Sequence, residues 1–395
     1  MQPRPTTTSG GRRPTTTTID LETLGSLHRV LLGHDTREMP DAWKGGFTFR
    51  TGPLRCGLRQ REGGPCGVLA AVQAHVLREL YESTPGLDLG TVTREAAGDA
   101  LVSALAGVIW SARVGRSASV VSCRCAELPR LYNAAGELAV TQCGNAADVR
   151  SAVQQNIGAY IRDGGAGVAL LLYSLALTRG IAMVARDADF PTPLIGQNGY
   201  CAQELVNLLL IGRAHSNVFD GEKAVGGDES GDGGEESGGC RLRGIPRRAP
   251  VGFLTLFEKQ GAEGTLLVVG SHLKRPACPV FVVQSESHYS VLWVADGTPP
   301  PDLPWDPSEG LAGDPEPEPS DDLDDERPPL LPDGGSIDLL YFDQMAERDD
   351  AVRLTLRRAP DGGGHAAAHV SPLEQVILTR WPAATIDWNG EEIIL

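Results

Sequence analysis

The sequence has 395 residues, 41% of them hydrophobic and 22% charged, which is typical of a globular chain that also carries some solvated sequence. Its formal net charge is −16 at pH 7, but residues 221–239 hold six acids and one lysine, and residues 297–335 hold twelve acids and one arginine. These two segments account for the whole excess, so the remaining chain is neutral and lacks the basic face that nucleic-acid binding requires. Both segments are predicted to be disordered acidic insertions.

The first 18 residues are rich in threonine, proline and arginine and have no apolar core, so they predict a disordered tail rather than a signal peptide. The most apolar run, residues 164–178, is 15 residues long, whereas a membrane span needs about 20. We therefore expect a buried core element, no membrane partner, and a cytoplasmic or nuclear protein whose eight cysteines stay reduced. Their spacing contains no CxxC pair, so no zinc site is expected. No cofactor is expected either.

Helical periodicity dominates the first half of the chain, and short β-rich runs dominate the second. The predicted helices cover residues 21–33, a segment from Cys66 onward, 96–112, 147–163 and 200–214. The predicted strands cover residues 251–257, 264–271, 278–284, 288–296, 336–343 and 352–358. Helices followed by an antiparallel sheet indicate the α+β class, with the helical half packed on the sheet.

Residues 60–77, QREGGPCGVLAAVQAHVL, place Cys66 between a glycine-proline turn and an apolar helix. A thiol at a helix N-terminus is activated by the macrodipole and by unpaired backbone amides. Pro65 suits the first turn, and the glycines around the sulfur leave room for a substrate backbone. Cys66 is therefore the candidate nucleophile, and the alternative is a structural cysteine packed in the first turn.

Gln60 lies six residues before Cys66 and can fold back over the helix start, where its amide would join the Cys66 backbone N–H in an oxyanion hole. The second candidate nucleophile is Cys201 in QNGYCAQELVNLLL, which also opens a predicted helix but lacks the proline and the paired glycines. The other six cysteines have no helix-start context and are predicted to be structural.

The base must come from elsewhere in the chain. His288, in FVVQSESHYSVLWV, begins a predicted strand and can project from the sheet edge toward the helix start. Asp343 closes another strand and is the candidate that orients the imidazole, the alternative being an ordinary strand-end carboxylate. Asp296 lies about 26 Å along the strand of His288, at about 3.3 Å per residue, and is out of reach. His365 and His369 lack a third ligand, so they predict no metal site.

Five stretches in order resemble the MINDY family of deubiquitinases, nearest its fourth subgroup: GGPCGVLAAVQAHVL, ELVNLLLIGRAHSNVFD, VGFLTLFE, SESHYSVLW and ILTRWPAATIDWNG. The resemblance implies a MINDY-type catalytic domain over residues 19–395, with a papain-like fold that departs from the family at the two acidic segments. It implies hydrolysis of isopeptide bonds in polyubiquitin chains, with a preference for lysine-48 linkages. It assigns the nucleophile to Cys66, the base to His288 and the oxyanion donor to Gln60, whereas Asp343 rests on strand placement alone.

Two other functions stay open at this stage. A catalytically silent ubiquitin-binding pseudoenzyme would bind chains without cutting them, and an acidic scaffold would act through the two insertions, which have only charge to support them. No obligate oligomer is implied. Glu62 and Glu286 lie close in sequence to the candidate catalytic residues, and we hypothesise that they meet the basic residues that precede the C-terminal Gly-Gly of ubiquitin.

Overall fold

The computed structural model describes residues 14–84, 86–125, 136–225, 240–260, 267–295, 335–359 and 370–392. The helices in these ranges are α1 (Leu21–Leu32), α2 (Cys66–Ser83), α3 (Arg94–Ser111), α4 (Ala146–Ile161), α5 (Gly167–Arg179), α6 (Ile181–Asp187), α7 (Gln203–Ile211), α8 (Phe257–Gln260), α9 (Ser271–Lys274) and α10 (Pro372–Arg380). The strands are β1 (Thr15–Thr18), β2 (Thr48–Phe49), β3 (Leu58–Arg59), β4 (Ala118–Cys123), β5 (Leu138–Cys143), β6 (Glu222–Val225), β7 (Cys240–Arg243), β8 (Gly252–Thr255), β9 (Val280–Ser285), β10 (His288–Val294), β11 (Ser336–Phe342), β12 (Val352–Arg358) and β13 (Ala384–Asp387).

The second half of the chain contributes a six-stranded sheet in the order β13-β12-β11-β10-β9-β8. Its neighbours are antiparallel except β8 and β9, which run parallel, so the prediction of a purely antiparallel sheet is wrong at that edge. Val282 and Val291 face the core that contains α2, whereas Phe281 and Leu292 face the core that contains α10. Because both faces are buried, these strands are continuous apolar runs. The α+β class is confirmed.

Helix α2 is enclosed on nearly every side. Every residue from Cys66 to Arg78 is buried, and the helix packs on α3 and α7 as well as on β9 and β10. Two buried polar side chains find backbone partners: Gln73 accepts from the Leu58 N–H at 2.6 Å, and His75 Nε2 lies 3.1 Å from the Leu209 carbonyl oxygen. Such packing fixes the start of α2 relative to the sheet.

A second sheet, in the order β1-β5-β4, was not predicted from the sequence. Its edge strand, Thr15–Thr18, pairs antiparallel with residues 139–142 of β5. These threonines lie inside the predicted disordered tail, but β-branched residues favour a pleated strand. The tail prediction therefore extends too far at these four residues, and residues 1–13 lie outside the described ranges.

The structure differs from prediction at three further places. Glu222–Val225, at the start of the first acidic segment, forms a strand that pairs with Cys240–Arg243. The rest of the two predicted insertions, residues 226–239 and 296–334, lies outside the described ranges. The strand predicted over 264–271 is wrong in its described part, because α9 begins at Ser271 and its first amides donate to the Asp220 carboxylate at 2.6–3.0 Å. The C-terminal elements α10 and β13 were not predicted.

Helix α5 carries most of the apolar run 164–178 and is buried along nearly its whole length. Over the ranges described above, no single helix has the length and apolar content of a membrane span, and only α5 and α6 taken together, bent by 85°, reach both.

Candidate active site

The start of α2 presents the thiol of Cys66, which is the first residue of the helix and only 3% exposed. The Pro65 carbonyl closes the first turn by accepting from the amides of Val68 and Leu69. Gly64 has a φ of +123°, and a Cβ there would lie 3.0 Å from the Gly199 carbonyl oxygen, so only glycine fits. The Cys66 thiol faces the Gly64 carbonyl oxygen, 3.9 Å from its Sγ.

The large sheet brings His288 and Asp343 together. His288 is the first residue of β10, and Asp343 directly follows β11. Val291 lies opposite Phe342, and continuing this register places Asp343 opposite Ser290, two residues from His288 on the same face. His288 Nε2 and Asp343 Oδ1 are 2.9 Å apart.

The environment of His288 strongly favours its charged form. The hydrogen bond to the Asp343 carboxylate and the nearby Cys66 thiol raise the pKa of His288 to about 10, against the opposing effect of burial. Because Nε2 is held by Asp343, Nδ1 is the nitrogen left for the thiol. Burial alone would raise the pKa of Asp343, but His288 and the amides of Met345 and Ala346 outweigh it and hold this pKa below its usual value. The imidazole of His288 thus interacts with both the Asp343 carboxylate and the Cys66 thiol.

The hydrogen bonds of Gln60 go to backbone carbonyls near the helix start and to the turn after β11. Its side chain is buried, its Nε2 donates to the Glu62 carbonyl at 2.8 Å, and its backbone N–H donates to the Gln344 carbonyl at 2.8 Å. No hydrogen bond joins it to Cys66 in the described part of the chain. A primary amide has two N–H groups, so one of them is available for a ligand.

Cys201 lies beside Cys66, a proximity that sequence reasoning missed. Its Sγ is 3.7 Å from the same Gly64 carbonyl oxygen, and a Cβ on Gly67 would lie only 2.8 Å from this sulfur. Burial, together with the neighbouring Cys66, raises the pKa of the Cys201 thiol far above its ordinary value. Helix α7 begins at Gln203, so the prediction that Cys201 opens this helix is wrong by two residues.

A cleft of about 330 Å³ opens beside Gln60 and Pro65. Charged side chains of both signs line it: Asp41, Lys44, Arg59, Arg61, Glu62 and Asp163. Lys44 pairs with Asp41 and Arg61 pairs with Asp163. Glu62 is exposed and has no ion-pair partner among the residues that the structure describes, so its carboxylate is open to a basic ligand.

All eight cysteines carry free thiols. In the described ranges no group of three or more histidine, cysteine, aspartate or glutamate side chains is arranged to hold a metal ion. His365 and His369 lie outside those ranges.

An enclosed helix that presents a thiol to an imidazole–carboxylate pair at the ends of two central strands defines a candidate thiol-hydrolase site. A family model described as the conserved domain of the deubiquitinating enzymes MINDY-3/4 matches residues 28–299. The chain belongs to this family. The matched range includes Gln60, Cys66 and His288, whereas Asp343 lies beyond it.

Individual relatives agree with this assignment. The chain is 35% identical over 393 residues to the probable ubiquitin carboxyl-terminal hydrolase MINDY-4 of Xenopus tropicalis, covering 95% of this chain and 47% of the relative. It is 35% identical over 398 residues to that of Homo sapiens, covering 95% and 46%. It is 30% identical over 342 residues to the ubiquitin carboxyl-terminal hydrolase MINDY-3 homolog of Drosophila melanogaster, covering 71% and 58%. The chain thus spans about half the length of the MINDY-4 relatives it matches. No solved structure matches it.

Proposed function

We propose that the protein is a deubiquitinase: a cysteine isopeptidase that hydrolyses polyubiquitin, with a preference for lysine-48-linked chains. The observation that carries this proposal is His288, which lies 2.9 Å from the Asp343 carboxylate and whose pKa is raised both by that carboxylate and by the nearby Cys66 thiol at the start of α2. The names of the family and of its relatives supply ubiquitin as the substrate. The linkage preference rests on the resemblance to the family.

The proposed reaction uses these residues in sequence. The thiol of Cys66 gives its proton to His288, and the resulting thiolate attacks the isopeptide carbonyl. The oxyanion that forms accepts from the Cys66 backbone N–H, which has no helical partner at this position, and from the free N–H of Gln60. The imidazolium then protonates the leaving lysine amine, and water releases the acyl group from the sulfur. Asp343 holds the ring with Nδ1 toward the sulfur.

We further propose that the architecture is a variant of the papain-like fold. Its support is the arrangement of a buried helix with the thiol at its first residue, packed directly on strands β9 and β10, with the base at the start of β10. The base and its carboxylate come from two neighbouring strands of one sheet. The nucleophile and the base thus meet where helix and sheet pack.

A panel of linkage-defined ubiquitin chains, each at least four units long, tests the proposal with Cys66→Ala as the inactive control. The expected result is cleavage of lysine-48-linked chains ahead of other linkages and a covalent adduct at Cys66 with a ubiquitin propargylamide probe. Chain binding that survives Cys66→Ala, with neither cleavage nor adduct in the unmutated protein, would instead identify a silent ubiquitin-binding protein.

Replacing Gln60 by alanine is expected to lower kcat about 10²–10³-fold, the usual cost of losing one oxyanion donor. Because the backbone N–H of Gln60 holds the Gln344 carbonyl, the substitution leaves that contact intact. Gln60→Glu is the matched variant, since it keeps the size but loses the donor. Steady-state cleavage of a ubiquitin-amidomethylcoumarin substrate measures both; unchanged kcat in both would remove Gln60 from the mechanism.

Reversing the charge of Glu62 is expected to raise KM about 2- to 5-fold, as befits an exposed ion pair of roughly 0.3–1 kcal/mol. The reason is that its unpaired carboxylate borders the cleft beside Gln60 and can meet a basic residue of the ubiquitin tail. The effect of Glu62→Lys should shrink in high salt. Glu22→Lys, on the exposed first turn of α1, is the control. A KM that does not change would refute the contact.

A further inference from the structure

Arg50 is a buried cation that faces the turn after β11. It directly follows β2 and is 6% exposed. Its Nη2 donates to the carbonyl of Gln344 at 2.8 Å and to that of Ala346, and it lies 3.5 Å from the Asp343 carbonyl oxygen. On the other side, its Nη1 lies 3.2 Å from the Asp349 carboxylate. The guanidinium therefore binds the backbone of the very turn that begins with Asp343.

One peptide group in this turn connects three parts of the site. The carbonyl of the peptide between Gln344 and Met345 accepts from Arg50 Nη2, and its N–H donates to Asp343 Oδ1 at 2.8 Å. The same carbonyl accepts the backbone N–H of Gln60 at 2.8 Å. Through this peptide, a single arginine fixes both the carboxylate that bonds His288 and the segment that carries the candidate oxyanion donor.

The positive charge of Arg50 also strengthens the hydrogen bond that the turn donates to Asp343. A guanidinium on the carbonyl side of a peptide polarises it, so the N–H on the other side becomes a stronger donor to a carboxylate. The carbonyls of the turn are bound by Nη2 and the Asp349 carboxylate by Nη1, so the planar guanidinium spans both partners at once, whereas a lysine ammonium offers one nitrogen for both. The groups that face Asp343 are His288 and the amides of residues 345 and 346, and those that face His288 are Asp343 and Cys66.

We propose that Arg50 is a positioning residue for the reaction: it orders the 343–346 turn so that the Asp343 carboxylate stays aimed at His288. The inference rests on the proposed function for its effect on turnover, but its effect on the His288–Asp343 pair is independent of substrate. Arg50 touches neither the thiol nor any reacting atom, so its influence passes through Asp343.

Arg50→Lys tests this role, with Arg94→Lys as the matched control. Arg94 donates to the Arg50 carbonyl at 3.0 Å and lies over the Phe49 ring, so it anchors the same segment without touching the turn. We expect Arg50→Lys to lower kcat about 10²-fold, the scale of a displacement of about 1 Å in a catalytic group. KM should change less than 3-fold, and Arg94→Lys should leave both constants within about 2-fold.

The second measurement is the titration of His288 by NMR on histidine-labelled protein. In Arg50→Lys the His288 pKa should fall toward 6.5, whereas it should keep its raised value in Arg94→Lys. A folded Arg50→Lys protein with unchanged titration and kcat overturns the inference. If Arg50→Lys does not fold, Asp349→Asn removes only the exposed partner of Arg50 and should shift the titration in the same direction by less; no shift there also overturns it. Failure of the unmutated protein to cleave chains would refute the proposed function but would leave the titration result standing.

Discussion

Replacement of Cys66 by alanine is expected to lower polyubiquitin cleavage by about 10⁴–10⁶-fold, the range seen when a covalent nucleophile is removed. The reason is that Cys66 is the thiol whose interaction with His288 raises the pKa of the imidazole, and the helix start around it is buried. Quantitative gel analysis of lysine-48-linked tetraubiquitin over several days measures the residual rate. Thermal unfolding of the variant checks that the helix start is intact.

The neighbouring thiol provides a stringent control for this prediction. Cys201 faces the same Gly64 carbonyl oxygen as Cys66, so a merely local disturbance would affect either substitution. Burial holds the Cys201 thiol in its neutral form at physiological pH, because its pKa lies far above the ordinary value. Cys201→Ser should therefore retain cleavage within about 3-fold and label normally with the ubiquitin probe. Loss of labelling in Cys201→Ser, with labelling retained in Cys66→Ala, would reverse the two assignments.

Asp343→Asn is expected to lower kcat about 10²–10⁴-fold. The amide preserves the shape of the carboxylate but removes the charge. When its NH₂ donates to Nε2, the ring proton sits on Nδ1, which then cannot accept the proton of the thiol. Because the residue lies outside the family match, this variant also tests the assignment made from strand placement. Asp338→Asn is the control, since Asp338 is half-buried on β11 and pairs with Arg353 and Thr355 away from His288.

The same substitution should change the pH dependence with a defined sign. His288 has an ordinary pKa of 6.5 that is raised to about 10 in the folded protein. The His288–Asp343 pair therefore adds stability that is fully present below pH 6.5 and is lost as the pH rises through about 10. In Asp343→Asn this contribution disappears and the pKa of His288 falls. Because activity is lost when the imidazolium deprotonates, the alkaline limb of the activity profile should move toward neutral pH. An alkaline limb that stays in place would show that Asp343 does not control the imidazole.

The local sequence was sufficient to predict those parts of the candidate site that lie on a single helix or strand. A proline and paired glycines before an apolar run identify the start of α2 and its thiol, and a run of strand-forming residues identifies the strand that begins at His288. Asp343 could be paired with His288 because each lies at one end of a strand, and both strands were recognisable from the sequence. The approach of Cys66 and Cys201 to the same carbonyl oxygen was not predictable, because it depends on how α2 packs against the segment before α7. Arg50 was missed for the same reason, since its partners lie almost 300 positions later in the chain.

The errors in the fold also have physical causes. Residues 267–269 have strand-forming side chains, but the Asp220 carboxylate accepts from the amides that start α9, so a helix begins at the last residue of the predicted strand. Thr15–Thr18 look like part of a polar tail until β5 offers them a partner. In both cases a distant part of the chain satisfies backbone groups that the local sequence leaves open.

The candidate catalytic pair and the connection between β10 and β11 lie at opposite ends of these two strands. His288 and Asp343 lie at one end of these two strands, and Val294 pairs with Leu339 near the other. The residues that connect the strands, including the acidic segment 297–335, therefore depart from the end opposite the candidate active site. With strands rising about 3.3 Å per residue, that departure point is roughly 20 Å from the imidazole. A connection attached there can grow, shrink or carry a reporter tag across evolution or in the laboratory, while the register that aligns acid and base is left untouched.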